Sequence, residues 1–264
     1  MKSVFRKIVS FLFNLLPFKT KEKMINKSTY ALQLRHYLKD VKNEYQVTFN
    51  NTNFRNTTFR LNRSYDIERE LMEQGGYDPE TLSLFDFFIE PDFVCIDIGA
   101  NIGNMSLCIA NKIERGNGQL HAFEPGDVNF ERLNHNISLN PNLAKKITTH
   151  KLGLSNKTET KYWTEMFSKG NAGFNYESGQ AMELSTLDDY AVKHGITTVD
   201  FIKVDVEGME LEVITGGERL IDQNLPAIYY ESWIGNFEEW DEKQEKLHAF
   251  LNAKGYRFFS FDLK

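Results

Sequence analysis

The chain's 264 residues, 41% hydrophobic and 26% charged, supply enough apolar side chain for a full core and one or two domains. A net charge of −6 without a long basic run argues against a nucleic-acid partner. Two cysteines, Cys95 and Cys108, read as small buried apolar residues; this excludes a disulfide framework, suits a reducing cytoplasm and, with no histidine at ligand spacing, gives no zinc site.

In chain order, Met1 to Leu16 separates into two faces on a wheel of about 100° per residue. Val4, Phe5, Ile8, Phe11, Leu12 and Leu15 share one face, Lys2, Arg6, Lys7 and Asn14 the other, and Pro17 stops the run. A bilayer needs about 20 apolar residues, so this helix does not span one. A signal peptide needs small residues next, and Lys19 to Lys23 stand there instead. Two readings stand for residues 1–23: an in-plane anchor giving peripheral membrane contact through residues 1–16, or a helix docked on protein. Residues 24–90 form an N-terminal extension. Tyr45 to Asn50 and Thr57 to Leu61 alternate like short strands. Asp66 to Glu73 is helical, Gly75-Gly76 breaks it, and Pro79 opens a helix carrying Leu82, Leu84, Phe85 and Phe88. Such a segment is suited to capping a ligand cleft.

The main domain, 91–264, alternates strand and helix. Strands are predicted at 93–98, 119–123 and 146–151, with helices at 103–113 and 127–138 between them. After a polar insertion come helix 186–194, strand 199–205, helix 209–221, strand 226–231, helix 237–254 and strand 256–262. This pattern predicts an α/β fold with a mostly parallel, doubly wound, Rossmann-like sheet. Ligands in such sheets sit beyond the carboxyl ends of the strands. Asp97, Glu124, Asp205 and Glu231 all fall at or near those ends.

The sharpest signal is Phe93 to Ser106, an apolar strand that runs through Asp97 into a turn with Gly99 and Gly103 and then a helix. Glycine serves where the backbone takes positive φ or a ligand approaches closely. An acid on that turn repels a pyrophosphate and welcomes a cation. S-adenosylmethionine, with an ammonium, a sulfonium and no phosphate, fits. Glu124, ending the next strand, is placed to hold a ribose diol, a feature shared with nicotinamide enzymes. The turn itself reads Asp-x-Gly-x-x-x-Gly and lacks the G-x-G-x-x-G spacing of those enzymes.

The stretch Val199 to Ile214, the 97–103 turn, Phe123-Glu124-Pro125 and Thr186-Leu187-Asp188 together resemble the FkbM family of S-adenosylmethionine-dependent methyltransferases over roughly residues 90–255. The resemblance implies the seven-stranded class I methyltransferase fold and transfer to a hydroxyl, since known members largely methylate sugars and polyketides. Two departures stand out. Asn101 replaces the middle glycine of the wider methyltransferase turn, as FkbM-like sequences share, and the chain stops so soon after Phe261 that the last antiparallel strand is expected to be short or missing.

Candidate roles follow. Gly99 and Gly103 let the backbone close over the methionine part of the cofactor, while Asp97 attracts its ammonium directly or through water. Asn101 either donates its amide to the cofactor carboxylate or simply occupies a left-handed position. Glu124 takes the ribose hydroxyls, Pro125 shapes the following turn, and Ser155 with Gly153 and Leu154 either contacts adenine or forms a plain loop. The acceptor alcohol must lose a proton. Asp205 is the first candidate base, Glu207 the second and His121 a distant third; acids at 207 and 210 also suit a helix N-terminus without any catalytic role. No spacing compels a metal. Acceptor choice is expected in 167–180, with Phe174 and Tyr176, and at Tyr229 to Trp233; a solvated hairpin tip is the plain alternative for the former. The chain is thus expected to be a cytoplasmic O-methyltransferase acting on a glycan or glycolipid precursor. The alternatives are a small-metabolite acceptor and a non-catalytic module scaffolding glycan assembly.

Overall fold

The computed structural model describes residues 44–75, 79–163, 180–232 and 238–259. Its centre is a parallel sheet. β3 (Val94–Ile98), β4 (Gln119–Phe123) and β5 (Ile147–His150) succeed one another outward. The chain then returns to the far side of β3 to lay down β9 (Phe201–Val204) and β10 (Ala227–Tyr230), giving the order β10-β9-β3-β4-β5. Strand order therefore reverses at β3, and a crevice opens beyond the carboxyl ends there.

Alternation along each strand divides the core into two faces. Cys95, Leu120 and Phe201 point to the face covered by α3 (Asn104–Ile113), with α4 (Asp127–Ser138) and α5 (Pro141–Ala144) alongside. Ile96, Ile98, Phe123, Ile202 and Val204 point to the other face, under α6 (Leu187–His194), α7 (Glu210–Thr215), α8 (Glu218–Asn224) and α9 (Glu238–Ala253). Both cysteines are free and buried.

The N-terminal segment is the antiparallel hairpin β1 (Glu44–Phe49) and β2 (Thr57–Asn62), followed by α1 (Asp66–Gln74) and α2 (Pro79–Phe88). Phe49, Phe54 and Phe59 pack ring to ring at 5.3–5.9 Å; each such aromatic pair adds about 0.5–1.5 kcal/mol beyond its burial. Asn111 of α3 donates to Thr57 Oγ1 at 2.8 Å. This segment explains why α3 buries nine of its ten residues: its outer side also meets protein.

Three further expectations change. The polar insertion contains a small second sheet of β6 (Gly153–Leu154), β7 (Glu159–Trp163) and β8 (Gln180–Ser185), in the order β6-β8-β7. The predicted helix 209–221 is two helices, α7 and α8, parted at Gly216 and Gly217. Finally, residues 256–259 form no strand; among the described residues the central sheet has five strands. The helix predicted at residues 1–16, the aromatics Phe174 and Tyr176, Trp233 and the end of the predicted 256–262 strand lie outside the described residues. Among the described residues no helix is long and apolar enough to cross a membrane.

Candidate active site

The carboxyl ends of β3, β4, β9 and β10 converge on one cleft of ≈ 230 Å³, measured as the space open to the centre of a water molecule. Gly99, Asn101, Glu124, Pro125, Asp205 and Glu207 line it, so six of the nine predicted site residues are brought together. Asp97, Gly103 and Ser155 are not among the lining residues.

Gly99 has φ 78, and a Cβ there would sit 1.9 Å from the carbonyl oxygen of Asp205. The glycine is thus required by the close approach of the β9 exit to the β3 turn, before any ligand is considered. Asn101 follows at φ 51 in the left-handed region, as one of its two readings expected. Its backbone N–H donates to Glu124 Oε2 at 2.9 Å, and Gly126 N–H donates to the other oxygen at 2.8 Å. Burial nevertheless pushes the Glu124 carboxyl up to about 7, those backbone bonds and Lys203 holding it lower than burial alone would. Each oxygen accepts one backbone proton and keeps acceptor capacity for a diol.

Asp97, expected to attract the cofactor's ammonium directly or through water, does not itself line the cleft. Asp97 is 0% exposed, beneath the cleft floor. One oxygen accepts from Ser106 Oγ and the other pairs with Lys203 Nζ at 3.2 Å. Gly103 is the left-handed residue that begins α3, where a Cβ would come within 2.8 Å of a Leu133 methyl; it serves helix packing. Ser155 is buried on the far side of β6. Its N–H donates to Ser185 O, and its carbonyl fills the place a Gly216 Cβ would need, which is also where the helix divides. Leu152, Gly153 and Leu154 line the cleft in its stead.

At the β9 exit, Lys203 also lines the cleft and donates to the Gly99 carbonyl at 2.8 Å. Its neighbours Asp97 and Asp205 hold its ammonium well above the usual lysine range against the opposing effect of burial. Glu207 adopts φ 53, an unusual conformation for a non-glycine residue and one often found at functional sites. Burial first, then Asp205 and Glu210, push its carboxyl up to about 7. Glu210 takes the plain role: Oε1 accepts the backbone N–H groups of Val206 and Gly208 and closes the loop before α7. His121, the third candidate base, is not a lining residue; its Nδ1 lies 3.1 Å from His150 Nε2. Asp188 of the Thr-Leu-Asp motif is structural as well, accepting from Arg219 N and Leu220 N at the start of α8.

Several lining residues had no signal in the sequence. Ile67 of α1 and Met182 and Leu184 of β8 reach the cleft from distant segments, while Asn104 and Met105 of α3 and Asn129 of α4 line it beside the two turns without having been singled out. Asn136 links these layers, donating to Ile102 O and accepting from Arg60 N, each at 2.8 Å.

This donor set suits S-adenosylmethionine. Among the described residues, Glu124, Asp205, Glu207 and Glu231 line the cleft against one ammonium, that of Lys203, a balance that favours a cationic ligand and opposes a phosphate. Ile98, Phe123, Leu152, Leu154 and Met105 supply apolar walls for a base. When bound, the cofactor supplies a methyl group already activated by its sulfonium.

Comparison with known proteins agrees. A family model described as the methyltransferase FkbM domain matches residues 97–258. The chain is 27% identical to methyltransferase sdnD of Sordaria araneosa, over 72% of this chain and 81% of that protein. It is 30% identical to hexuronic acid methyltransferase AglP of Haloferax volcanii over 48% of this chain, and spans 51% of that relative. Among solved structures, methyltransferase FkbM from Methylobacillus flagellatus KT is similar at 20% identity with a TM-score of 0.46, over 63% of this chain and 37% of that one. The chain belongs to the FkbM methyltransferase family and is an S-adenosylmethionine-dependent methyltransferase.

Proposed function

We propose that the protein methylates a hydroxyl of a sugar in a glycan or glycolipid precursor, with Glu207 as the general base. The observation that carries this is the state of Glu207: a cleft-lining carboxyl pushed up to about 7 in a left-handed backbone position. A base works best when its pKa lies near the working pH. Asp205, first on sequence grounds, has an oxygen 3.5 Å from the Lys203 ammonium and is engaged by that ion pair. The deprotonated Glu207 accepts the acceptor's hydroxyl proton as the oxygen takes the methyl group, and returns that proton to solvent afterwards.

The sugar acceptor is supported by the relative named for hexuronic acid methylation. Tyr229 and Tyr230 end β10 next to Glu231, which lines the cleft, and so stand near its acceptor side. Residues 24–90 cap the cleft in this reading, in keeping with the contribution of Ile67 to its lining. A peripheral membrane contact through residues 1–16 would bring a cytoplasmic enzyme to a lipid-linked acceptor; deleting them should then abolish binding to anionic vesicles.

The test is a screen of nucleotide sugars and glycan extracts with cofactor bearing a radiolabelled methyl, followed by mass spectrometry of the product. An alkali-stable methyl ether on a sugar is expected. Label on a carboxylate or on nitrogen, or none in any sugar-bearing fraction, would contradict the assignment.

A further inference from the structure

β3 and β9 pair in parallel with Asp97 directly beside Lys203, so the two side chains leave the same face of the sheet as neighbours. Lys203 is 1% exposed and Asp97 is fully buried. Nζ meets Asp97 Oδ1 at 3.2 Å and the carbonyls of Gly99 and Ile98 at 2.8 and 3.4 Å. The positive charge of Lys203 therefore cancels the negative charge of Asp97 beneath the floor.

Asp205 is what remains. Its Oδ2 lies 3.5 Å from Nζ, and its side chain is 32% exposed and lines the cleft. Two carboxylates and one ammonium leave one net negative charge, and the exposed member of the trio carries it toward the cavity. Asp205 also lies against the turn itself. Its N–H donates to Ile98 O at 3.1 Å, and its carbonyl abuts Gly99.

We infer that Asp205, anchored by Lys203, is the group that receives the α-ammonium of S-adenosylmethionine, and that Asp97 acts on the cofactor only through Lys203. The inference rests on the assignment of this cleft to that cofactor. Lys203 is then a positioning residue: it neutralises Asp97, fixes the Gly99 carbonyl and holds one oxygen of Asp205 so that the other is left for the ligand. An ammonium seeking Asp97 would have to enter a fully buried site already shared by Lys203 and Ser106, taking its own charge out of water beside that of the lysine. The division of labour is complete: one acid for the cofactor's cation, and Glu207 for the acceptor's proton.

The test compares two probes on the full chain by titration calorimetry. S-adenosylhomocysteine and 5′-methylthioadenosine share the adenosine and thioether, and only the first carries the α-ammonium and carboxylate. Asp205→Asn is expected to weaken S-adenosylhomocysteine by roughly ten- to a hundredfold, the range for a hydrogen bond to a charged group, and to leave methylthioadenosine unchanged. Asp205→Glu should recover much of the loss. Lys203→Met, verified as folded by circular dichroism, should shift the same ratio in the same direction by less. Unchanged S-adenosylhomocysteine affinity in Asp205→Asn, or equal losses for both probes, would overturn the inference. Failure of the unsubstituted protein to bind either probe would instead overturn the cofactor assignment on which it rests.

Discussion

The two sides of the cleft use acids in opposite ways. At the ends of β3 and β4, Asp97 and Glu124 are buried and held by protein partners: Ser106 and Lys203 for the first, the backbone of Asn101 and Gly126 for the second, which still offers its remaining lone pairs to the cleft. At the end of β9, Asp205 and Glu207 face the opening, and Glu207 occupies a strained backbone position with a raised pKa. The first side is a scaffold that shapes a turn, and the second is a reactive edge. Carboxylates at strand ends are therefore not equivalent evidence of chemistry; their partners decide what they do.

Substitutions should separate the two sides. The largest effect is expected from Glu207→Gln, which should lower kcat by about 10²–10⁴-fold while leaving cofactor affinity unchanged. The unsubstituted enzyme should gain rate as pH rises through about 7, where Glu207 loses its proton, and the variant should lose that dependence. A parallel fall in cofactor binding would move Glu207 to the scaffold side. Lys203→Met should act on stability, removing about 3–5 kcal/mol in a denaturant titration, because it leaves Asp97 buried without its counter-charge. Adding Asp97→Asn should restore part of that loss; no restoration would mean that the pair is not coupled.

Smaller effects sharpen the scaffold side. Gly99→Ala should cost at least about 1–3 kcal/mol in thermal unfolding, since the added methyl is both left-handed and overlaps Asp205 O. Asn136→Leu should cost about 1–3 kcal/mol, by orphaning the Ile102 carbonyl and the Arg60 N–H. The subtlest effect concerns pH. Glu124 titrates near 7 in the fold and near 4.5 in the unfolded chain, so between those values the folded state binds more protons. Its contribution to stability falls as pH rises from about 4.5 to about 7 and is level above that. The stability difference between the unsubstituted protein and Glu124→Gln should follow that curve.

Much of the scaffold was legible in the sequence because it is local. Apolar runs bounded by turns placed β4 and α4 at their observed limits, and the helix predicted from 186 begins there, with Thr186 found to be an N-cap that accepts from Asp189 N. What the sequence concealed depends on pairing between distant segments. The Asp97–Lys203 pair exists because two strands far apart in the chain lie in register. α3 is buried all round because a hairpin from the N-terminal extension reaches it. The small sheet was hidden in polar sequence, where β6 is two residues long and gains its strand character only by pairing with β8. The same rule explains the site. Gly99, Asn101 and Met105 belong to one strand–turn–helix unit and Glu124 to the strand that follows, whereas Ile67 and Met182 line the cleft by tertiary packing alone.

The central claim is that S-adenosylmethionine binds at the junction of β3, β4 and β9. Amide hydrogen exchange with and without saturating cofactor tests it most directly. Protection is expected at 98–105, 123–126, 152–154 and 203–209, the segments that surround the cleft. Protection confined to other segments, with these four unchanged, would contradict the account.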